Sequence, residues 1–312
     1  MENANNNQPL SPLEPGTVLK GGKYEILELT SNKGGFGWIY RAKSIRGPES
    51  KRIVAIKEYH ILEFDYAERS KMHTWTMLDM KECDDDMRNK FMNEASYLRK
   101  LYHELEDRHI PQVLDTVWME NGRMFYAMTF IEGLTLREAM EGAMPEYRAV
   151  GCIIQIAKVL HKAHELGLIH ADVSPNNIMQ KRTLRNRNLA VLVDWGNANA
   201  MNYDDGYGIG TEGYRAPETF RGTPQADVYS LAATLLFLLT DKKPEVLDSD
   251  ERVAKARHLL AKHNVSAETT DAILHAMNVD VEKATKSIHE FMMELPKDIV
   301  IKILLNYTDH DK

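Results

Sequence analysis

Short apolar runs of β type dominate the chain from Tyr24 to about Phe130. Residues 24–29, 38–43, 52–59, 113–119 and 124–130 are predicted strands, rich in Val, Ile, Tyr and Phe. Asn121-Gly122 between the last two is a strong hairpin signal, because both residues tolerate positive φ. One helix interrupts the strands at about 89–102, where Phe91, Ala95, Leu98 and Leu101 fall on one face.

From Thr135 onward helical spacing takes over. Pro145 suits the first turn of a long helix whose Val150, Ile153, Ile154, Ala157 and Leu160 form an apolar stripe, and Gly167 stops it. Residues 225–239 are apolar nearly all round, which marks a buried helix. Three later helices are predicted over 250–263, 267–277 and 284–293, and the partly apolar tail from Pro296 fits either a helix or a strand. A β-rich first third and a helical remainder make the fold α+β, with two lobes of different class.

Composition narrows the function. The 312 residues are 43% hydrophobic and 27% charged, which excludes wholesale disorder and allows a substantial core. A net charge of -7 argues against nucleic acid as a partner, which needs clustered Lys and Arg; ATP needs only a few local donors and a metal. Cys83 and Cys152 form no CxxC pair, so neither a disulfide framework nor a cysteine zinc site is readable, and a cytoplasmic location is expected. His161 and His164 read as ordinary helix residues. The longest apolar run, 231–239, is far short of the ~20 residues that span a bilayer, so no membrane segment is expected. Residues 1–15, rich in Asn and Pro, read as a flexible tail and not as a signal peptide.

The chemistry-bearing residues occur as ordered blocks. Gly34, Gly35 and Gly37, with Phe36 among them, lie between two strands, where glycine lets backbone N–H groups approach a phosphate. Val54-Ala55-Ile56-Lys57 sets a lysine on an apolar strand, where it must snorkel or pair. Its candidate carboxylate is Glu94, on the lone helix. In His170-Ala171-Asp172-Val173-Ser174-Pro175-Asn176-Asn177, Asp172 can accept a hydroxyl proton and Asn177 can ligate a metal. Asp194, in Asp194-Trp195-Gly196, is a hard oxygen ligand at the end of a buried strand. Gly210-Thr211-Glu212-Gly213-Tyr214-Arg215-Ala216-Pro217-Glu218 follows, then Asp227.

In this order the blocks resemble the protein-kinase signature set, from the glycine-rich loop to Ala-Pro-Glu, over about residues 16–293. Pro15-Gly16-Thr17-Val18-Leu19 and the His-x-Asp-x-Ser-Pro-x-Asn-Ile loop are similar to bacterial eukaryotic-like serine/threonine kinases. The resemblance implies a two-lobed protein-kinase-like fold: a small β-rich lobe at 16–131, a larger helical lobe at 132–295, and tails at 1–15 and 296–312. It implies ATP and Mg²⁺ as cofactors and unidentified protein substrates as partners. Asp172, Lys57 and Glu94 take catalytic roles, and Asn177 and Asp194 hold metal. Asn32, Gly34, Gly35, Phe36, Gly37, Ile39, Ala55, Lys57, Met128, Thr129, Ile131 and Met179 are expected around ATP, with Met128 as gatekeeper and 129–131 as hinge.

Several positions depart from that pattern. Asn32 stands where a glycine is usual, and Trp195 where Phe is. Ser174 replaces a lysine that touches the γ-phosphate, a loss that costs roughly 3 kcal/mol of barrier unless another cation substitutes. The segment between Lys57 and Glu94 is long; with Trp75 and Asp84-Asp85-Asp86 it reads as an insertion that forms a solvated loop. The arginine that pairs with the Ala-Pro-Glu carboxylate is missing, leaving Lys283 as its replacement for Glu218. The leading reading is transfer of phosphate from MgATP to protein Ser or Thr. Its alternatives are an ATP-binding pseudokinase scaffold and a small-molecule kinase of the same fold.

Overall fold

Backbone hydrogen bonding joins the predicted strands into one antiparallel sheet. The computed structural model describes residues 11–31, 37–47, 50–59, 77–105, 109–181, 189–201 and 210–308. The sheet contains β1 (Val18–Leu19), β2 (Tyr24–Ser31), β3 (Gly37–Ser44), β4 (Ile53–Tyr59), β5 (Val113–Glu120) and β6 (Arg123–Thr129), in the order β1-β2-β3-β4-β6-β5. Asn121 and Gly122 turn β5 into β6 at φ 52° and 74°, as an Asn-Gly hairpin requires. Register decides the rest. Ile39 faces Lys57, Lys57 faces Tyr126, and Ala55 faces Met128, so these side chains share one face of the sheet. The other face buries Trp38, Tyr40, Val54, Ile56, Phe125 and Ala127.

The buried Glu58 also sits on that second face, bonded to Tyr40 Oη at 2.7 Å and to Arg123 at 2.9 Å. Part of the segment expected to be a flexible tail is tied down there. Leu13 N–H donates to Tyr40 Oη, Arg123 donates to the Ser11 carbonyl, and Leu13 packs on the core.

Helix α1 (Met77–Leu105) runs 29 residues and begins well before the predicted start at 89. Asp84-Asp85-Asp86 therefore lies in helix, which corrects the reading as a loop. The stretch contains no Gly or Pro to stop it and is rich in Met, Leu, Lys and Glu. Trp75 lies outside the described residues. Phe91 anchors the helix on the sheet, 5.6 Å from the Tyr59 ring and 5.2 Å from that of Tyr126. Up to Arg99, and again from Gln112 to Phe130, the chain belongs to this compact unit; the remainder forms a second.

The second unit is mostly helical: α2 (Leu136–Ala139), α3 (Glu146–Glu165), α4 (Pro224–Thr240), α5 (Asp250–Lys262), α6 (Ala267–Ala276), α7 (Ile288–Glu294) and α8 (Lys297–Thr308). Pro145 is the N-cap of α3, and Gly167, at φ 76°, ends it as a left-handed residue after the C-cap. Helix α4 starts on Pro224, is buried from Asp227 onward, and packs against α3, α6 and α7. Helix α7 starts four residues after the predicted 284, because Ser287 supplies the capping hydroxyl to Glu290 N–H. The tail is a helix, α8, with Ile303 set against the Cβ-less surface of Gly151 on α3. Among the described residues no helix is long and apolar enough to cross a membrane.

Two short ladders shape the rest of this unit. Strand β9 (Ile178–Lys181) pairs with β10 (Leu189–Leu192) and with β7 (Gly133–Thr135), while β8 (Leu168–Ile169) pairs with β11 (Asn199–Ala200). The β8–β9 loop, 170–177, and the β10–β11 loop, 193–198, are thus held side by side, pinned at both ends.

Candidate active site

In the first unit Lys57 and Glu94 meet. Lys57 Nζ donates to Glu94 Oε1 at 2.7 Å and to Oε2 at 2.8 Å, with the side chains 3% and 2% exposed. β4 is buried from Val54 onward, so its lysine is tolerable only when paired, and the buried face of α1 brings the carboxylate to it. Ile39, Ala55 and Met128 lie on the same sheet face as Lys57. Thr129 gives its N–H to Gln112 O (2.8 Å), and its hydroxyl accepts from Gln112 N–H (3.0 Å), so its N–H has no capacity left for a ligand. Gly37 has a reason to be glycine apart from any phosphate: a Cβ there would meet the Glu58 carbonyl oxygen at 2.1 Å. Asn32, Gly34, Gly35 and Phe36 lie outside the described residues.

In the second unit Asp172 is the centre of a dense network. Its Oδ1 accepts from Thr211 N–H and Thr211 Oγ1, both at 2.8 Å. Its Oδ2 accepts from Asn177 Nδ2 at 3.0 Å and from Asn197 Nδ2 at 3.3 Å. Asn177 Nδ2 also donates to the Asp172 carbonyl, and the two loops are stitched together by Val193 N–H to Asn177 O at 2.8 Å. Ser174 is buried, its hydroxyl 3.3 Å from that of Thr211. Met179, on β9, is half-buried, and Ile131 is buried.

A carboxylate at the start of α4 holds this loop from below. Asp227 accepts the N–H groups of His170 and Ala171, each at 2.8 Å, and is 2.9 Å from His164 Nε2. Those bonds fix Ala171 at φ 62°, and Asp194 stands at φ 58°. Left-handed backbone at a residue with a Cβ costs roughly 1–2 kcal/mol, so it persists only where neighbours enforce it. His170 stacks edge-on against the fully buried Trp195 at 4.7 Å, which shows how the larger ring is accommodated in place of Phe.

Charge separates the two carboxylates. Burial works against Asp227, yet the bonds from His164 and the loop N–H groups outweigh it and hold the carboxyl below its usual range. For Asp172 burial wins: it pushes the carboxyl up against the pull of the Thr211 bond, and the like charge of Asp194 adds to it. A carboxylate held by neutral donors, with the like charge of Asp194 acting on it, suits a hard divalent cation. Asn177 fits such a group, since its Nδ2 bonds leave the carbonyl oxygen uncommitted.

Sequence reading missed three participants. Thr211 makes two bonds to Asp172 from 39 residues away, and no local pattern signals that. Asn197 is equally silent, and His164, read as an ordinary helix residue, is a ligand of Asp227. Among the described residues one expected pair does not form: Lys283 bonds Asp280 at 3.0 Å, three residues back, and Glu218 bonds Arg221 at 2.9 Å. The nearer partner wins in each case, since an exposed pair gains little from reaching further.

A buried lysine–glutamate pair between a strand and a helix and an Asp–Asn–Asp loop cluster on a helical unit define a phosphoryl-transfer fold of the α+β, two-lobed type. The chain matches the protein kinase domain over residues 33–298, and it belongs to that family. It is 32% identical over 260 residues to serine/threonine-protein kinase PknD of Mycobacterium tuberculosis, covering 80% of this chain and 34% of that protein. It is 30% identical over 253 residues to serine/threonine-protein kinase C of a Synechocystis strain, covering 76% and 42%. A probable serine/threonine-protein kinase of Clostridium perfringens is 27% identical over 299 residues, covering 90% and 39%. The chain thus spans well under half the length of the curated relatives it matches. Membership of this family implies use of ATP and a divalent metal.

Proposed function

We propose that this chain is an active serine/threonine protein kinase that transfers the γ-phosphate of MgATP to protein hydroxyls. The observation that carries the reading is the network on Asp172: a carboxylate oriented by Thr211, Asn177 and Asn197, beside Asp194. Asp172 orients the acceptor hydroxyl and takes its proton. Lys57, held by Glu94, would clamp the α- and β-phosphates; Asn177 and Asp194 would hold Mg²⁺, which would supply positive charge to the transferring group. Ile39, Ala55 and Met128, on the sheet face that carries Lys57, would contact the adenine, and the Thr129 carbonyl would be offered to it.

Ser174 carries no charge, and its hydroxyl joins the Thr211–Asp172 network, which supports a role in orienting the base more than in holding phosphate. A nucleotide-binding scaffold would have no use for four donors on one carboxylate. The test is to incubate the purified protein with Mg²⁺ and labelled ATP, alone and with dephosphorylated casein, beside an Asp194→Ala control. Label on casein or on the chain itself, absent from the control, is expected. No label above the control overturns the reading.

A further inference from the structure

Asn197 follows Trp195-Gly196 in the β10–β11 loop, and nothing in its type or position marks it as part of the site. Its backbone is nevertheless pinned on both sides. Ala198 N–H donates to Trp195 O at 3.0 Å, Asn199 Nδ2 donates to Asn197 O at 3.1 Å, and Asn199 pairs with Ile169 in the β8–β11 ladder. From this held position the side-chain amide points its nitrogen at Asp172 Oδ2, 3.3 Å away. The opposite orientation would set a carbonyl oxygen against a carboxylate, so Asp172 itself dictates which end faces it.

The far end of the same amide is the second observation. Asn197 Oδ1 is buried and has no hydrogen-bond partner among the described residues. An unpaired buried acceptor is destabilising, and an aliphatic side chain of the same size would avoid that cost. An amide retained only for packing would have both ends satisfied. This one spends its donor on Asp172.

We infer that Asn197 is a positioning residue for phosphoryl transfer: its amide fixes the rotation of the Asp172 carboxylate, and so the direction in which the acceptor hydroxyl is presented. The inference rests on the kinase reading above. Oδ2 has two side-chain donors, and Asn177 is the one whose carbonyl is assigned to the metal. Asn197 is therefore the donor whose removal loosens the base while leaving the assigned metal ligands unchanged. It acts through Asp172, so its effect belongs in turnover and not in the binding of ATP.

Three variants of the full chain separate this from a structural role: Asn197→Leu, Asn197→Asp, which is isosteric, and Asn197→Gln, which keeps the amide. Each is checked for an unchanged melting temperature, then assayed with dephosphorylated casein over a range of ATP concentrations. Asn197→Leu is expected to lower kcat by about tenfold or more, with the KM for ATP within about twofold of wild type. Asn197→Asp should fall at least as far, because it sets like charges together, and Asn197→Gln should recover much of the loss. Should the Leu variant fail to fold, the contrast between Asp and Gln carries the same prediction. A kcat equal to wild type in Asn197→Leu, a KM for ATP that rises in step with the loss, or a Gln variant no better than Leu would each overturn the inference. Wild-type protein that labels neither casein nor itself overturns the kinase reading and this inference with it, whereas an active wild type with insensitive variants overturns this inference alone.

Discussion

The strand–helix pair of the first unit and the loop cluster of the second both keep charge out of water, by opposite means. Lys57 and Glu94 neutralise each other at 2.7 Å, with both side chains almost wholly buried, and the pair is electrically complete. Asp172 and Asp194 carry the same sign, and the donors on Asp172 are backbone N–H, hydroxyl and amide groups, all neutral. The first arrangement is stable without help. The second raises the carboxyl of Asp172 and leaves a site that a divalent cation would complete. On the proposed reading, one region holds a positive charge in place and the other receives one.

The strongest break in this comparison is on the loop side. Asp172→Asn keeps size and most hydrogen bonding but removes the proposed proton acceptor. Protein phosphorylation should fall by about 10⁴-fold, on the order of 5 kcal/mol of barrier, while ATP affinity stays within a few-fold. Initial rates and a nucleotide titration check both halves. Turnover near wild type would show that Asp172 is not the base.

On the strand side the largest effect is on stability. Lys57→Met leaves Glu94 buried without its cation, which should cost roughly 3–5 kcal/mol and abolish transfer. The double variant Lys57→Met/Glu94→Met should regain most of that stability and none of the activity, because two apolar groups replace a pair that had to be desolvated. Chemical denaturation reads the first, and labelled ATP the second. A single variant as stable as wild type would mean that the pair is not dry.

How far the sequence foretold these two regions differs for a physical reason. Strands, the hairpin at Asn121-Gly122, the long helix ending at Gly167 and the buried helix from Pro224 were legible, because each is set by local pattern and turn chemistry. The start of α1 was not: its acidic stretch looked like a loop, and only the lack of a breaker kept it helical. The meetings of Lys57 with Glu94 and of Asp172 with Asn177 were foreshadowed by ordered motifs. Thr211, Asn197 and His164 were not, since their roles come from tertiary contacts that bring distant positions together. The same limit explains the misassigned partner of Glu218: a resemblance names a usual partner, but Arg221 was nearer.

Asp227 supplies a third contrast, as a carboxylate kept charged in full burial. Its folded-state value lies below the ordinary one, so the stability it contributes is present at neutral pH, where both states are ionised. That contribution is lost as the pH falls from the ordinary carboxylate value, near 3.9, through the lowered folded one. Asp227→Asn should therefore cost about 1–3 kcal/mol at pH 7 and flatten the acid limb of the stability curve. Denaturation midpoints between about pH 6 and pH 3 test this. Parallel curves for wild type and variant would show that Asp227 is not the group whose protonation loosens the loop.

The smallest expected effect concerns switching by phosphorylation. Kinases turned on by activation-segment phosphate usually receive it on an arginine just before the catalytic Asp. Here that residue is Ala171, whose N–H is bonded to Asp227 and whose backbone is fixed at φ 62°. The loop is held from α4 beneath it, by a carboxylate, and needs no phosphate above. Thr211 already gives its hydroxyl to Asp172, so a phosphate there would set negative charge against the base. Tyr203 and Tyr207 lie outside the described residues, beside Asp204-Asp205, whose charge would repel an added phosphate. The enzyme should therefore be active unmodified. Treatment with a broad phosphatase, to a mass without phosphate, should change the initial rate by less than tenfold, or about 1.4 kcal/mol in the barrier. A larger fall, reversed by rephosphorylation between residues 194 and 218, would show that a cation elsewhere replaces the missing arginine.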